Sequence, residues 1–125
     1  MLNFLPSKLV GAIAGLLLVV NVLFWITILF IFTLPKILIP WPSLLKVINK
    51  ILQWIGENWI ACNSGWMWLT QKTRWDVQGA ENLNHEGWYM VVSNHQSWVD
   101  ILVMQHLLNR KIPLLKFFIK RELIK

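Results

Sequence analysis

Residues 88–100 read WYMVVSNHQSWVD, and the prediction for the second half of the chain rests on them. Their first part, 88–92, is a short uninterrupted apolar run, which is typical of a strand buried on both faces of a sheet. From about Ser97 to Leu108 the apolar residues recur at helical spacing, and 113–119 forms another apolar run. Strand, helix and strand at this spacing predict a right-handed βαβ unit, and hence an α/β fold.

A further strand is predicted upstream, at 74–78, where polar and apolar residues alternate. The residues between the two strands, 79–87, carry the Gly, Asn and Glu punctuation of a loop. The sequence therefore predicts that 71–125 forms one unit built on a sheet.

The N-terminal part of the chain is different in character, because Leu9 to Leu34 contains no charged residue. About 20 apolar residues suffice to cross a bilayer. A cleaved signal peptide has an apolar core of about 7–15 residues and a small-residue cleavage site, and this run is longer and lacks such a site. We therefore predict a retained transmembrane or re-entrant helix over 9–34, which we expect Pro35 to end.

Two polar residues lie inside this apolar run, Asn21 and Thr27. Neither is ionisable, so an intramembrane functional site is disfavoured. We expect both side chains to make helix-to-helix or backbone hydrogen bonds.

A second helix is predicted over 43–70, with Ser43 as its N-cap. Its apolar residues recur at helical spacing, and several tryptophans lie in or beside it, among them Trp41, Trp54, Trp59 and Trp66. This profile is typical of an amphipathic helix at the membrane interface. The alternative is that the apolar stripe packs on the rest of the protein. Residues 1–70 are thus interpreted as a membrane-associated helical module.

Composition agrees with a membrane protein. Hydrophobic residues make up 56% of the 125 residues and charged residues 14%, whereas an ordinary soluble domain has about a quarter charged residues. The net charge of +6 favours anionic phospholipid headgroups or phosphate-bearing substrates. Nucleic acid is disfavoured as a partner, because no stripe of basic and aromatic residues lies on one recognisable binding element. Lys36, Lys46 and Lys50 follow the apolar run, which predicts a cytoplasmic location for the C-terminal part.

The candidate catalytic residues are His95 and Asp100, which follow the predicted buried strand. Ligands of open α/β sheets bind at the carboxyl ends of strands, where His95 is expected to lie. A turn can fold the carboxylate of Asp100 back onto one imidazole nitrogen, so that the other nitrogen serves as a general base. Asn94 and Ser97 are expected to shape the turn and cap the following helix.

Three blocks of this sequence resemble the glycerolipid (1-acylglycerol-3-phosphate, or lysophospholipid) acyltransferases. Residues 94–100, NHQSWVD, resemble the N-H-x-S-x-x-D block; 77–83, VQGAENL, the V-x-G-x-E-N-L lead-in; and 117–123, FFIKREL, the K-x-E-L segment. The blocks occur in the family's order and cover about 73–125. The bulky residues around Trp98 and from Lys116 to Lys120 are similar to the lysocardiolipin-type and related bacterial branch.

The resemblance implies transfer of a fatty acyl group from acyl-CoA or acyl-carrier protein to a lysophospholipid hydroxyl in phospholipid synthesis. His95 would be the general base and Asp100 would orient it, while Lys120 would contact the acceptor phosphate. No metal and no resident cofactor is implied, since the thioester is a co-substrate. The implied location is the bacterial inner membrane.

The family's later blocks, a glycine and arginine segment and a Phe-Pro-Glu-Gly turn, do not follow in this sequence. We therefore expect 71–125 to be the first βαβ portion of an incomplete acyltransferase domain, with little activity alone. The alternative is a non-catalytic truncated membrane protein or an anchoring subunit. A zinc site from His95, Asp100 and His106 is disfavoured, because these residues lack metal-ligand spacing.

Overall fold

A computed structural model of the protein describes residues 5–39, 41–94 and 96–118. The helices in these ranges are α1 (Ser7–Leu38), α2 (Pro42–Thr70) and α3 (Val99–Leu108). α2 packs against both of the others, whereas α1 and α3 make no packing contact with each other in the described part of the chain. α2 is therefore the central element of the fold.

α1 contains the helix predicted over 9–34. Its 32 residues correspond to a length of about 48 Å, which exceeds the thickness of about 30 Å of a bilayer's hydrocarbon core. Trp25 is the buried residue of this helix. Large apolar side chains are exposed along its length, among them Leu16, Leu23, Phe30 and Leu34. α1 thus has the length and composition of a membrane-crossing helix.

The end of α1 differs from the prediction, because the helix continues through Pro35 to Leu38. Proline is most costly in a helix interior, where it removes a hydrogen bond and crowds the preceding turn. Pro35 lies only one turn from the helix end, and its carbonyl oxygen accepts the Ile39 N–H at 2.9 Å. The backbone at this end therefore stays hydrogen-bonded despite the proline.

α1 and α2 form an antiparallel pair joined by two polar contacts. The Asn21 Nδ2 donates to the Asn63 Oδ1 at 2.7 Å, and the Trp66 Nε1 donates to the Ala14 carbonyl oxygen at 2.9 Å. The helix-to-helix hydrogen bond predicted for Asn21 is confirmed. Thr27 likewise donates from Oγ1 to the Leu23 carbonyl oxygen at 2.7 Å, as predicted. Polar side chains inside an apolar interface thus fix which turns of the two helices meet.

α2 begins one residue earlier than predicted, with Trp41 as the N-cap and Pro42 in the first turn. Proline suits this position, because its missing N–H would have no helical partner there. The predicted apolar stripe supplies Ile48 and Ile55 to the buried core, whereas Trp41 and Trp54 are exposed. One part of the apolar surface of α2 is therefore covered by protein and another part is not.

The predicted α/β fold is wrong for the described residues, which form no strand and no sheet. The described parts of 74–78, 88–92 and 113–119 are irregular, and residue 119 lies outside the described ranges. Trp88 is 101% exposed, Met90 85% and Val92 82%. An apolar run becomes a doubly buried strand only where other strands pair with it and helices cover both faces. The described chain supplies neither, so local apolar character did not produce a strand.

We expect Asn63→Ala to destabilise the α1–α2 pair by about 1 kcal/mol, because the Asn21 amide then loses its partner inside an apolar interface. Unfolding in mixed micelles, followed by circular dichroism, measures this change. Asn49→Ala is the matched control, since Asn49 is an exposed asparagine on the same helix. Equal effects of the two substitutions would contradict a role for the buried amide pair.

Candidate active site

The motif at 94–100 forms the turn that leads into α3. Asn94 and Ser97 are exposed, and Asp100 lies half-buried in the first turn of the helix. His95 and Lys120, the predicted base and phosphate contact, lie outside the described residues. The geometry of the site is therefore described from the residues around position 95.

The carboxylate of Asp100 folds back over the preceding turn. Its Oδ2 accepts the backbone N–H of Gln96 at 2.6 Å and that of Ser97 at 2.7 Å. In addition, the Asp100 N–H donates to the Ser97 carbonyl oxygen at 3.0 Å. Hydrogen bonds to an ionised acceptor are short and strong, so they hold this carboxylate in one orientation. The negative charge is thereby placed beside the backbone that immediately follows position 95.

The local sequence explains this turn. The first N–H groups of a helix have no helical acceptor, and side chains nearby commonly satisfy them. The Ser97 Oγ accepts the Val99 N–H at 3.2 Å, while the Asp100 side chain reaches back to the Ser97 N–H. The N-cap of α3 is Trp98 and no side chain caps it, so the prediction that Ser97 caps the helix is wrong and Ser97 shapes the preceding turn. A negative charge in the first turn also interacts favourably with the helix dipole.

Large exposed apolar side chains lie within the motif and precede it in the sequence. Trp98 lies within it, and Trp88, Met90 and Val92 precede it; all four are exposed. The described part of the motif therefore combines a fixed carboxylate, that of Asp100, with the exposed apolar side chain of Trp98.

The remaining histidines lie away from this turn. The His106 ring is 5.5 Å from that of Trp75, and both border a cavity of about 150 Å³ between α2 and the start of the irregular segment. The His106 Nδ1 is buried without a hydrogen-bond partner. No three potential metal ligands cluster in 5–39, 41–94 and 96–118. One member of the zinc alternative, His95, lies outside these ranges.

A second polar cluster was not foreseen from the sequence. Glu57 of α2 contacts His85, which lies in the loop before the motif, and Arg110, which follows α3. The residues of this cluster are separated by up to 53 positions, and no local pattern marks them. The packing of α3 and of the loop around His85 on α2 brings them together.

Comparison with known proteins finds a family match for the C-terminal part of the chain. The family model described as Acyltransferase matches residues 74–125, which include the whole 94–100 motif. This match confirms the resemblance at the level of the family, and its description names no branch. Neither a curated protein nor a solved structure matches the chain.

Asp100→Ala is expected to open the motif turn, because the Gln96 and Ser97 amides lose their acceptor. Their hydrogen-exchange rates should rise about ten- to a hundredfold, since a hydrogen bond to a charged group contributes about 1.5–3 kcal/mol. Amide exchange measured by NMR tests this. Asp76→Ala is the control, since that carboxylate contacts the Gln78 side chain. Unchanged rates in Asp100→Ala would mean that the backbone alone holds the turn.

Proposed function

We propose that the protein transfers a fatty acyl group from acyl-CoA or acyl-carrier protein to the hydroxyl of a lysophospholipid or lysophosphatidic acid, because residues 74–125 match the family model described as Acyltransferase. The activity would be that of a 1-acylglycerol-3-phosphate O-acyltransferase in phospholipid synthesis. The observation that carries the proposal is the fixed Asp100 carboxylate beside position 95, in a segment of this family.

His95 acts as the general base in this proposal. Its unprotonated ring nitrogen takes the proton of the acceptor hydroxyl as the hydroxyl oxygen attacks the thioester carbonyl carbon. The tetrahedral intermediate collapses, the carbon–sulfur bond breaks, and the imidazolium gives the proton to the departing thiolate. The products are an ester and a free thiol, so the reaction needs no acyl-enzyme and no redox partner.

Asp100 supports His95 by its charge and its position. A carboxylate beside an imidazole selects the tautomer that acts as a base, and it stabilises the imidazolium formed during the reaction. The two amide hydrogen bonds hold the Asp100 side chain before substrate binds, so this part of the site needs no rearrangement. Asn94 and Ser97 shape the turn, in agreement with the Ser97 Oγ contact to Val99.

The acceptor reaches the site from a membrane in this proposal. α1 supports that location, because only 6% of its most apolar window is buried inside the protein, unlike the core helix of a soluble domain. Exposed apolar side chains on α1, and Trp41 and Trp54 on α2, fit contact with lipid. We place the protein in a bacterial inner membrane with the acyltransferase segment on the cytoplasmic side.

His95→Ala should lower acyl transfer by at least about a hundredfold, since a positioned general base contributes about 10²–10⁴-fold. Asp100→Asn should leave a residual rate above that of His95→Ala, because the base remains but its orientation and charge partner are lost. The assay follows thiol release and labelled phospholipid with the protein in its native membranes. Asn49→Ala is the control, since Asn49 is exposed on α2 and lies outside the 94–100 motif.

Near-normal transfer by His95→Ala would overturn the mechanism. If the unsubstituted protein binds bilayers but consumes no thioester, the result overturns the proposed function and favours the alternative of a non-catalytic anchoring protein.

Lys120→Ala should raise the KM for a phosphate-bearing acceptor about tenfold and leave the KM for the thioester unchanged. A charge-assisted hydrogen bond to phosphate contributes about 1.5–3 kcal/mol, and its loss affects only the substrate that carries the phosphate. Steady-state kinetics with each substrate varied in turn measures both values. Lys116→Ala is the control, since Lys116 is exposed and lies four residues away. Equal KM changes in the two variants would contradict a specific phosphate contact.

A further inference from the structure

Glu57 lies on α2, outside the segment that matches the acyltransferase family. Its side chain is only 14% exposed, which is low for a carboxylate on the surface of a helix. Gln53, one turn earlier, donates from Nε2 to the Glu57 Oε1 at 3.0 Å. A carboxylate this well covered needs partners that offset its loss of hydration. Those partners come from two distant places in the acyltransferase segment.

The first set of partners follows the end of α3. The Arg110 Nε lies 3.9 Å from the Glu57 Oε2, and the Arg110 Nη2 donates to the Asn58 Oδ1 at 3.2 Å. Asn109, the C-cap of α3, donates from Nδ2 to the Glu57 carbonyl oxygen at 3.1 Å. The end of α3 is thus attached to one turn of α2 through both side chains and backbone.

The second partner is His85, whose Nε2 lies 3.4 Å from the Glu57 Oε1. His85 is held in a compact turn, in which the Asn84 carbonyl oxygen accepts the Gly87 N–H at 2.9 Å and the Asn84 Oδ1 accepts the Glu86 N–H at 3.0 Å. This turn precedes the 94–100 motif in sequence, whereas α3 and Arg110 follow it. The two attachments therefore lie on both sides of the motif.

The backbone of Arg110 has a conformation that contacts with its surroundings must hold. Its φ is 59°, in the left-handed region that favours glycine at the end of a helix. A non-glycine residue is retained there only where surrounding contacts determine it. Close packing adds to the attachment, because a Cβ on Gly56 would lie 3.1 Å from the Leu114 Cδ1. The chain after α3 is thus seated on Gly56 and Glu57 together.

We propose that Glu57 is a positioning residue, which holds the acyltransferase segment at a defined place on α2 through His85, Asn109 and Arg110. We call these four residues and Asn58 the Glu57 clasp. Because α2 is paired with α1, the clasp sets the place of the 94–100 motif relative to the helix that we assign to the membrane. The effect on catalysis rests on the proposed function, whereas the positioning itself does not.

The test measures the distance between α2 and the start of α3. Spin labels are attached to the single native cysteine, Cys62 of α2, and to Val99→Cys at the first residue of α3, since both sites are exposed. Distances are recorded by pulsed electron paramagnetic resonance in lipid nanodiscs. Glu57→Gln and Arg110→Gly should each broaden the distance distribution at least about twofold. Arg110→Gly keeps this backbone conformation accessible, so strain at a positive φ is not a cause of its effect.

Two further substitutions and a second label pair test whether these effects are specific to the clasp. Lys111→Gln removes an adjacent positive charge outside the clasp and should leave the distribution unchanged. Arg110→Lys keeps a positive charge near Glu57 but loses the planar guanidinium group, which also reaches Asn58. The width of its distance distribution should therefore lie between those of the unsubstituted protein and Arg110→Gly. A label pair at Cys62 and Ile37→Cys reports the α1–α2 pairing, and this distance should not change when Glu57 or Arg110 is substituted.

An unchanged α2–α3 distribution in both Glu57→Gln and Arg110→Gly would overturn the proposal. It would also be overturned if the α1–α2 distance changed as well, since Glu57 would then support the fold as a whole. In transfer assays, the same two variants should raise the KM for a vesicle-embedded lysolipid severalfold and leave the KM for the thioester unchanged. If the distances change but the unsubstituted protein transfers no acyl group, the clasp stands and the proposed function fails. If transfer occurs but the distances do not change, the proposed function stands and the clasp proposal fails.

Discussion

The arrangement of this protein depends on the two contacts of α2, because α1 and α3 do not pack on each other in the described residues. Two apolar helices can slide past one another by a turn at little cost, so apolar packing alone specifies their register poorly. The hydrogen bond between Asn21 and Asn63 restricts that freedom, since any other register would leave a buried amide without a partner. On the same helix, Glu57 contacts His85, Asn109 and Arg110 of the C-terminal part of the chain. α2 thus carries both the hydrogen bond that fixes its pairing with α1 and the carboxylate that contacts the C-terminal part of the chain.

The turn around Asp100 shows how a functional geometry can arise from short-range contacts. All the hydrogen bonds described for it join residues within four positions of one another: Gln96, Ser97, Val99 and Asp100. Such contacts do not require a sheet, because side chains close in sequence satisfy these backbone groups. The carboxylate is therefore oriented even though the flanking apolar runs form no strands. The turn therefore forms without the predicted strands on either side of it.

The wrong prediction of a sheet has a general physical cause. An apolar run of five residues, such as 88–92, states that these side chains favour burial but not which partner buries them. Strand formation needs backbone hydrogen bonds to another segment, and a doubly buried strand also needs covering layers on both faces. Helices carry their backbone hydrogen bonds within themselves, and so α1, α2 and α3 formed where periodicity and apolar length indicated. Helices were predicted better than strands because their backbone hydrogen bonds join nearby residues, whereas those of strands join segments that are distant in sequence.

By itself, the sequence determined the features that depend on nearby residues. These are the long uncharged helix, the second helix after the prolines, the helix that follows the 94–100 motif, and the resemblance of the C-terminal part to an acyltransferase family. Tertiary structure alone decided that the apolar runs remain unpaired and that Glu57 meets His85 and Arg110. Contacts between residues up to 53 positions apart depend on how helices pack, and no local pattern encodes that packing. For this reason the helices could be predicted from the sequence, whereas the contacts of Glu57 with His85 and Arg110 could not.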